Sequence, residues 1–134
     1  MDWKLELVVV PVADQDRAKA FYLDAMGFDL LVDHQGSPTF RVIQVTPPGS
    51  ACSIALMHNP DAAGTAQGLH LVVPDIEAAH AELVDRGASP ADLIHFEAGV
   101  QTAGPDPEGR DYNTFFEVRD PDGNGWLVQH VSSR

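Results

Sequence analysis

The feature that most constrains this chain is an internal duplication. Val8-Val9-Val10-Pro11-Val12-Ala13-Asp14 is an apolar run ending in an Asp, and Leu69-His70-Leu71-Val72-Val73-Pro74-Asp75 repeats the pattern 61 residues later. Short runs rich in Val and Leu read as buried strands. An Asp at the end of such a run opens a helix, because its carboxylate accepts from the free N–H groups of the first turn. A helical stripe follows each Asp: Ala18, Phe21, Tyr22, Ala25 and Met26, then Ile76, Ala79, Leu83 and Val84. Gly27 and Gly87 close the two stripes with the left-handed cap that glycine adopts freely. A unit of this size that occurs twice is expected to bury part of its sheet against its copy.

Strand patterns continue each unit. The first half carries Phe28–Asp33, Phe40–Thr46 and Cys52–Met57; the second carries Asp92–Glu97, Asn113–Arg119 and Trp126–Val131. The last two strands of each half are joined by comparable turns, Val45-Thr46-Pro47-Pro48-Gly49-Ser50 and Arg119-Asp120-Pro121-Asp122-Gly123-Asn124, with Pro and Gly where tight turns need them. The fold class predicted is α+β. Two tandem βαβββ modules, about 1–58 and 67–134, form one domain, joined by a Pro-, Gly- and Ala-rich linker at about 59–66. Their sheets make a curved, cup-shaped mixed surface with the helices on the outer face. A cup closed this loosely favours a homodimer.

Composition narrows the function. Twenty acidic against eight basic residues give a net charge of −12. Nucleic acid and anionic membrane both demand a basic patch, so neither is expected as a partner. No stretch is long and apolar enough for a membrane span, and the first residues lack the pattern of a signal peptide. One cysteine, Cys52, leaves no intramolecular disulfide. A cytoplasmic protein able to attract a cationic small molecule is the expectation.

With these elements in place, the chain resembles the vicinal-oxygen-chelate superfamily, which includes glyoxalases, bleomycin-resistance proteins and extradiol dioxygenases. The likeness is carried by 12–22 with Gly27-Phe28, by 68–79, and by Asp120-Pro121-Asp122-Gly123-Asn124-Gly125. Metal-dependent members place one ligand on each of four inward-facing strands. Carried over, those positions are Leu7, Ser53, Gly68 and Leu127. Leu and Gly offer no donor and a Ser hydroxyl is a poor one, whereas divalent metals take imidazole, carboxylate or thiolate. Moving two residues inward gives Val9, Ala55, His70 and Gln129, of which only His70 is a good ligand. The resemblance therefore implies a cup with no metal and no cofactor.

Strand alternation assigns the lining of that cup. Leu7 and Val9 share a face, as do Phe40, Val42 and Gln44, with Gln44 set across from Ser53. The same turn alignment puts Phe116 and Val118 on the equivalent face of the second half, beside Leu127 and Gln129. His70 points the same way, either contacting a ligand as donor or base, or satisfied structurally by Gln129 or Ser53. Leu69, Leu71 and Val73 face the helix. The candidate ligand-binding residues are thus Leu7, Val9, Phe40, Gln44, Ser53, His70, Phe116, Leu127 and Gln129. Mostly apolar walls with a few polar groups are typical of small-molecule pockets, although the same side chains could instead meet and fill the space.

Other residues are weaker candidates. His95 and Glu97 share a strand face but have no evident third ligand and read as an exposed or edge-strand pair. His80 falls on the polar side of the second helix, and Cys52 reads as a helix-facing core residue. Ala98–Asp111 is a long Gly- and Pro-rich loop of lid type, with Asp106, Glu108, Arg110 and Tyr112 able to reach a ligand. Two functions follow. One is a metal-free protein that sequesters an aromatic or cationic natural product, as bleomycin-resistance proteins do. The other is an enzyme of glyoxalase, isomerase or dioxygenase type, with a divalent metal on an unusual set drawn from His70, His95, Glu97, Glu117 and Gln129. A metal-free enzyme using His70 as base is a further alternative.

Overall fold

The computed structural model describes residues 1–134 and divides them into two compact units. Unit 1 is Met1–Ala66 together with the Asp120–Asn124 turn; unit 2 is Gln67–Arg119 with Gly125–Arg134. No helix is long and apolar enough to cross a membrane.

Unit 1 contains β1 (Leu7–Val12), α1 (Gln15–Ala20), β2 (Asp29–Ser37), β3 (Phe40–Thr46) and β4 (Ser53–His58). The sheet runs β1-β4-β3-β2, with β1 parallel to β4 and the other pairs antiparallel. The Asp14 carboxylate caps α1 by accepting from the Arg17 N–H at 3.0 Å. The stripe then departs from an ideal helix, because Phe21–Ala25 is wound as π-helix and the Met26 N–H reaches the Phe21 carbonyl. This wider winding buries Ala18, Tyr22 and Met26 at four-residue spacing and leaves Phe21 and Ala25 half-buried. Val10, Val12, Ile43, Val45, Ile54 and Leu56 form the core, all at most 5% exposed. Each such aliphatic side chain contributes about 1.5–3 kcal/mol on burial.

The 120–124 turn is held in unit 1 by a buried carboxylate. Asp120 accepts from the Tyr22 hydroxyl at 2.9 Å, from the backbone N–H groups of Asp122 and Asn124, and from Asn124 Nδ2. Asn124, fully buried, also donates from Nδ2 to the Pro11 carbonyl and accepts from the Ala66 N–H. Asp122 accepts from the Ala13 N–H and from Arg17. The Asp-Pro-Asp-Gly-Asn motif is therefore both a hairpin turn and a polar staple for the first module.

Unit 2 contains β5 (Leu69–Val73), α2 (Ile76–Asp85), β6 (Ile94–Glu97), β7 (Val100–Ala103), β8 (Thr114–Arg119) and β9 (Gly125–His130). Its sheet runs β5-β9-β8-β6-β7, with β5 parallel to β9. The α+β class and the strand–helix–strand plan of each half match the sequence reading, but the second half has one strand more. Ala98 and Gly99 both have positive φ, 49° and 77°. Two successive left-handed residues make the tight turn that suits a hairpin. Half of the expected lid is thus an ordered β6–β7 hairpin.

The second helix also sits differently from its expected stripe. Val84 is 53% exposed, while Ile76 and Leu83 are buried. His80 turns inward, its Nε2 2.9 Å from the Ala91 carbonyl and its ring edge-on to Phe116 at 5.0 Å. It is not on the polar side. Cys52 lies just before β4, half-buried and with Sγ 3.6 Å from the Ser53 carbonyl, so it is not a core residue under the helix.

Candidate functional site

Each sheet has one face packed under its helix and one open, helix-free face, which in unit 1 is buried around Gln44, Ser53 and Ala55. In unit 1 the ladder pairs Leu7 with Ser53, Val9 with Ala55, and Gln44 with Ala55. Leu7, Val9, Gln44 and Ser53 therefore share the open face with Val42, as alternation predicted, and Phe40 continues it with half its surface exposed. Gln44 does not stand across from Ser53, however. Thr46 takes that place, and its hydroxyl lies 2.7 Å from Ser53 Oγ. Val9 is 54% exposed, whereas Gln44, Ser53 and Ala55 are buried.

In unit 2 the ladder places His70 beside Leu127 and Leu127 beside Glu117, and it places Val72 beside Gln129 and Gln129 beside Phe115. His70, Leu127 and Gln129 lie together on the open face. Phe116 does not. It is 1% exposed, paired with Val128 on the helix-covered side, and Val118 lies there too. The physical reason is turn length. The connection between Val45 and Ile54 holds one residue more than that between Val118 and Trp126. A one-residue difference reverses which side chains share a face. Phe115 and Glu117 therefore occupy the positions expected for Phe116 and Val118. The difference shows only once both ladders are paired.

Around His70 the open face sinks into a depression of about 160 Å³, lined by Gln67, Gly68, His70, Glu117, Arg119 and Leu127 among others. His70 Nδ1 is 2.7 Å from the Gly68 carbonyl. A carbonyl can only accept, so Nδ1 carries a proton and donates it. Neither Gln129 nor Ser53 satisfies His70. Glu117 and Arg119 stand 3.9 Å apart at the same depression, both exposed, an arrangement worth little as an ion pair in water. Gln67 and Arg119 were not among the expected residues.

The opposite side of this sheet holds a second polar cluster. His95 is 3% exposed, not an exposed edge residue. Its Nδ1 faces the Gly104 carbonyl at 2.7 Å and its Nε2 faces Glu97 Oε1 at 2.9 Å. With acceptors at both nitrogens the ring favours the imidazolium, and Glu97 first, then the Gly104 carbonyl, raise its pKa above the ordinary value. Asp106, also buried, accepts from Arg110 Nε at 2.9 Å, from Asn113 Nδ2, and from the backbone N–H groups of Glu108 and Arg110. The Arg110 guanidinium, with Asn113, holds this carboxyl far below the usual range. Asp106 is thus the internal tie of the 104–113 segment, its carboxylate taken up by that segment's own donors.

The donor set does not fit the metal of the metal-dependent relatives. Leu7 pairs with Ser53, whose hydroxyl is engaged by Thr46, and Leu127 and Gly68 offer no side-chain donor. The unusual set is split: His70, Glu117 and Gln129 are on the open face, while His95 and Glu97 bond each other on the other side. No group of three or more His, Cys, Asp or Glu side chains could hold an ion.

The family model for the Glyoxalase/Bleomycin resistance protein/Dioxygenase superfamily matches residues 4–128. The chain belongs to that superfamily. Among solved structures, it is similar to TnmS3, an antibiotic binding protein from Streptomyces sp. CB03234, with 31% identity, 96% of each chain covered and a TM-score of 0.73. A glyoxalase/bleomycin resistance protein from the same organism is also 31% identical, with 94% of this chain and 99% of that one covered and a TM-score of 0.69. Among curated proteins, Uncharacterized protein YetH of Bacillus subtilis is 26% identical over 122 residues, 91% of this chain and 93% of its own. The superfamily spans binders and enzymes, so the site has to carry the functional argument.

Proposed function

We propose that this member of the superfamily binds a small molecule without a metal or other cofactor, sequestering an aromatic or cationic natural product in the manner of antibiotic resistance by binding. The observation that carries the reading is the depression at His70. An imidazole, a carboxylate and a guanidinium line it beside apolar Leu127, on a sheet face that also presents Phe96 and Phe115. Such a surface offers stacking and a few orienting hydrogen bonds, which is what affinity for a flat molecule requires. The likeness to TnmS3 supports a binding role. The charge of −12 favours cationic ligands through long-range attraction. Without donors for a metal at the family positions, polarisation of vicinal oxygens has no residues to sustain it. A cytoplasmic location and a homodimer complete the proposal.

The test uses Trp126, one of the two tryptophans and one of the residues lining the depression. A Trp3→Phe chain leaves Trp126 as the sole indole. Titration with planar aromatic natural products, cationic and neutral, should change its fluorescence saturably, with a Kd on the order of micromolar. A flat response to the whole panel, with heats of dilution only in calorimetry, would remove the binding reading.

A further inference from the structure

Within that reading, we infer that His70 is a specificity-determining hydrogen-bond acceptor, and that the molecule taken at the depression presents a hydroxyl to its Nε2. The inference starts from the backbone. Gly68 has φ of +74°, and its carbonyl stands 2.7 Å from Nδ1 of the residue two places on. Because the carbonyl can only accept, it keeps the ring's proton on Nδ1. In neutral imidazole the other nitrogen then carries a lone pair and no hydrogen. Nε2 has no protein partner, and the ring is exposed at the mouth of the depression. The side chain is therefore oriented at one nitrogen and unsatisfied at the other.

The neighbours sharpen the chemistry. Glu117, one strand beyond Leu127, also accepts only, while Arg119 donates only and lies 3.9 Å from Glu117. A carboxylate placed on the ligand opposite Nε2 would meet two acceptors. An ether oxygen there would meet a lone pair. A hydroxyl donates to Nε2 and still has lone pairs for Arg119. On a planar aromatic ligand that group is a phenol, whose proton is a stronger donor than that of an aliphatic alcohol.

The experiment compares 2-naphthol with 2-methoxynaphthalene by calorimetry, in the unaltered chain and in His70→Phe and His70→Gln. The unaltered chain should prefer the phenol by about three- to tenfold, as one neutral hydrogen bond allows. In His70→Phe the ratio of the two affinities should fall to about unity, and His70→Gln, which restores an acceptor, should recover part of it. Methoxynaphthalene binding with no phenol preference in the unaltered chain overturns this inference and leaves the binding reading standing. A preference that persists in His70→Phe likewise overturns it. If neither probe binds, this inference is overturned, while the natural-product titration decides the binding reading separately. His70 is exposed and outside the core, so circular dichroism of the variants should match the unaltered chain.

Discussion

Removing a single oxygen from the first helix tests whether the Asp120 staple organises unit 1. Tyr22 is fully buried, with its ring edge-on to Phe21 at 5.1 Å and tilted against Phe28 at 5.6 Å. Tyr22→Phe keeps those ring contacts and deletes only the hydroxyl that donates to Asp120 at 2.9 Å. A hydrogen bond to a charged acceptor contributes about 1.5–3 kcal/mol. Asp120 keeps three other donors, two backbone N–H groups and Asn124 Nδ2, so the lower part of that range applies. The expected loss is about 1.5–2 kcal/mol. With an unfolding entropy of about 2 cal/mol/K per residue over a chain of 134, this lowers Tm by roughly 5–7 °C. Scanning calorimetry and urea titration at neutral pH measure it. A shift below about 1 °C, with an unchanged urea slope, would refute the staple.

Three further outcomes follow from the same geometry. Phe116→Ala should destabilise unit 2 by about 3–5 kcal/mol in urea unfolding, since it empties a buried position and removes the partner of the His80 ring; a folded variant with weakened ligand affinity alone would contradict the face assigned here. Because the His95 pKa is raised in the fold by Glu97 and the Gly104 carbonyl, the stability it confers is fully present below the unfolded value, about 6.5, and is lost as pH rises through the folded value. The stability difference between the unaltered chain and His95→Gln should therefore shrink as pH rises above about 6.5, and a difference that grows would reverse the assignment. Elemental mass spectrometry of untagged protein should find iron, nickel, zinc and manganese far below one ion per chain, with Tm unmoved by EDTA; stoichiometric metal would sink the metal-free proposal.

How much was legible in the sequence can be judged element by element. The duplicated strand–Asp–helix–Gly unit was readable because capping and apolar periodicity are local. Asp14 and Asp75 each accept from the N–H three residues on, and Gly27 and Gly87 both have positive φ. The open-face placement of Leu7, Val9, Gln44, Ser53, His70, Leu127 and Gln129 was readable from alternation within single strands. Phe116 was misplaced because carrying a face from one hairpin to the other requires equal turns, and these differ by one residue. Nothing in a two-residue strand period reports that difference until both ladders are paired.

The sequence by itself determined the family plan, the duplicated elements and the poverty of metal donors at the family's positions, since all three depend on residue type and on spacing along one stretch of chain. Only the tertiary structure decided which partner each polar side chain meets. His95 became buried and hydrogen-bonded at both nitrogens because β6–β7 pairing brought the Gly104 carbonyl to Nδ1, while Glu97 of its own strand meets Nε2. Asp106 left the supposed lid for the interior because four donating groups of its own segment and Asn113 close around it. His70 is oriented by its Nδ1, which donates to the Gly68 carbonyl. Residue types set what a side chain can exchange; the positions of other chain segments set with what, and no periodicity encodes those.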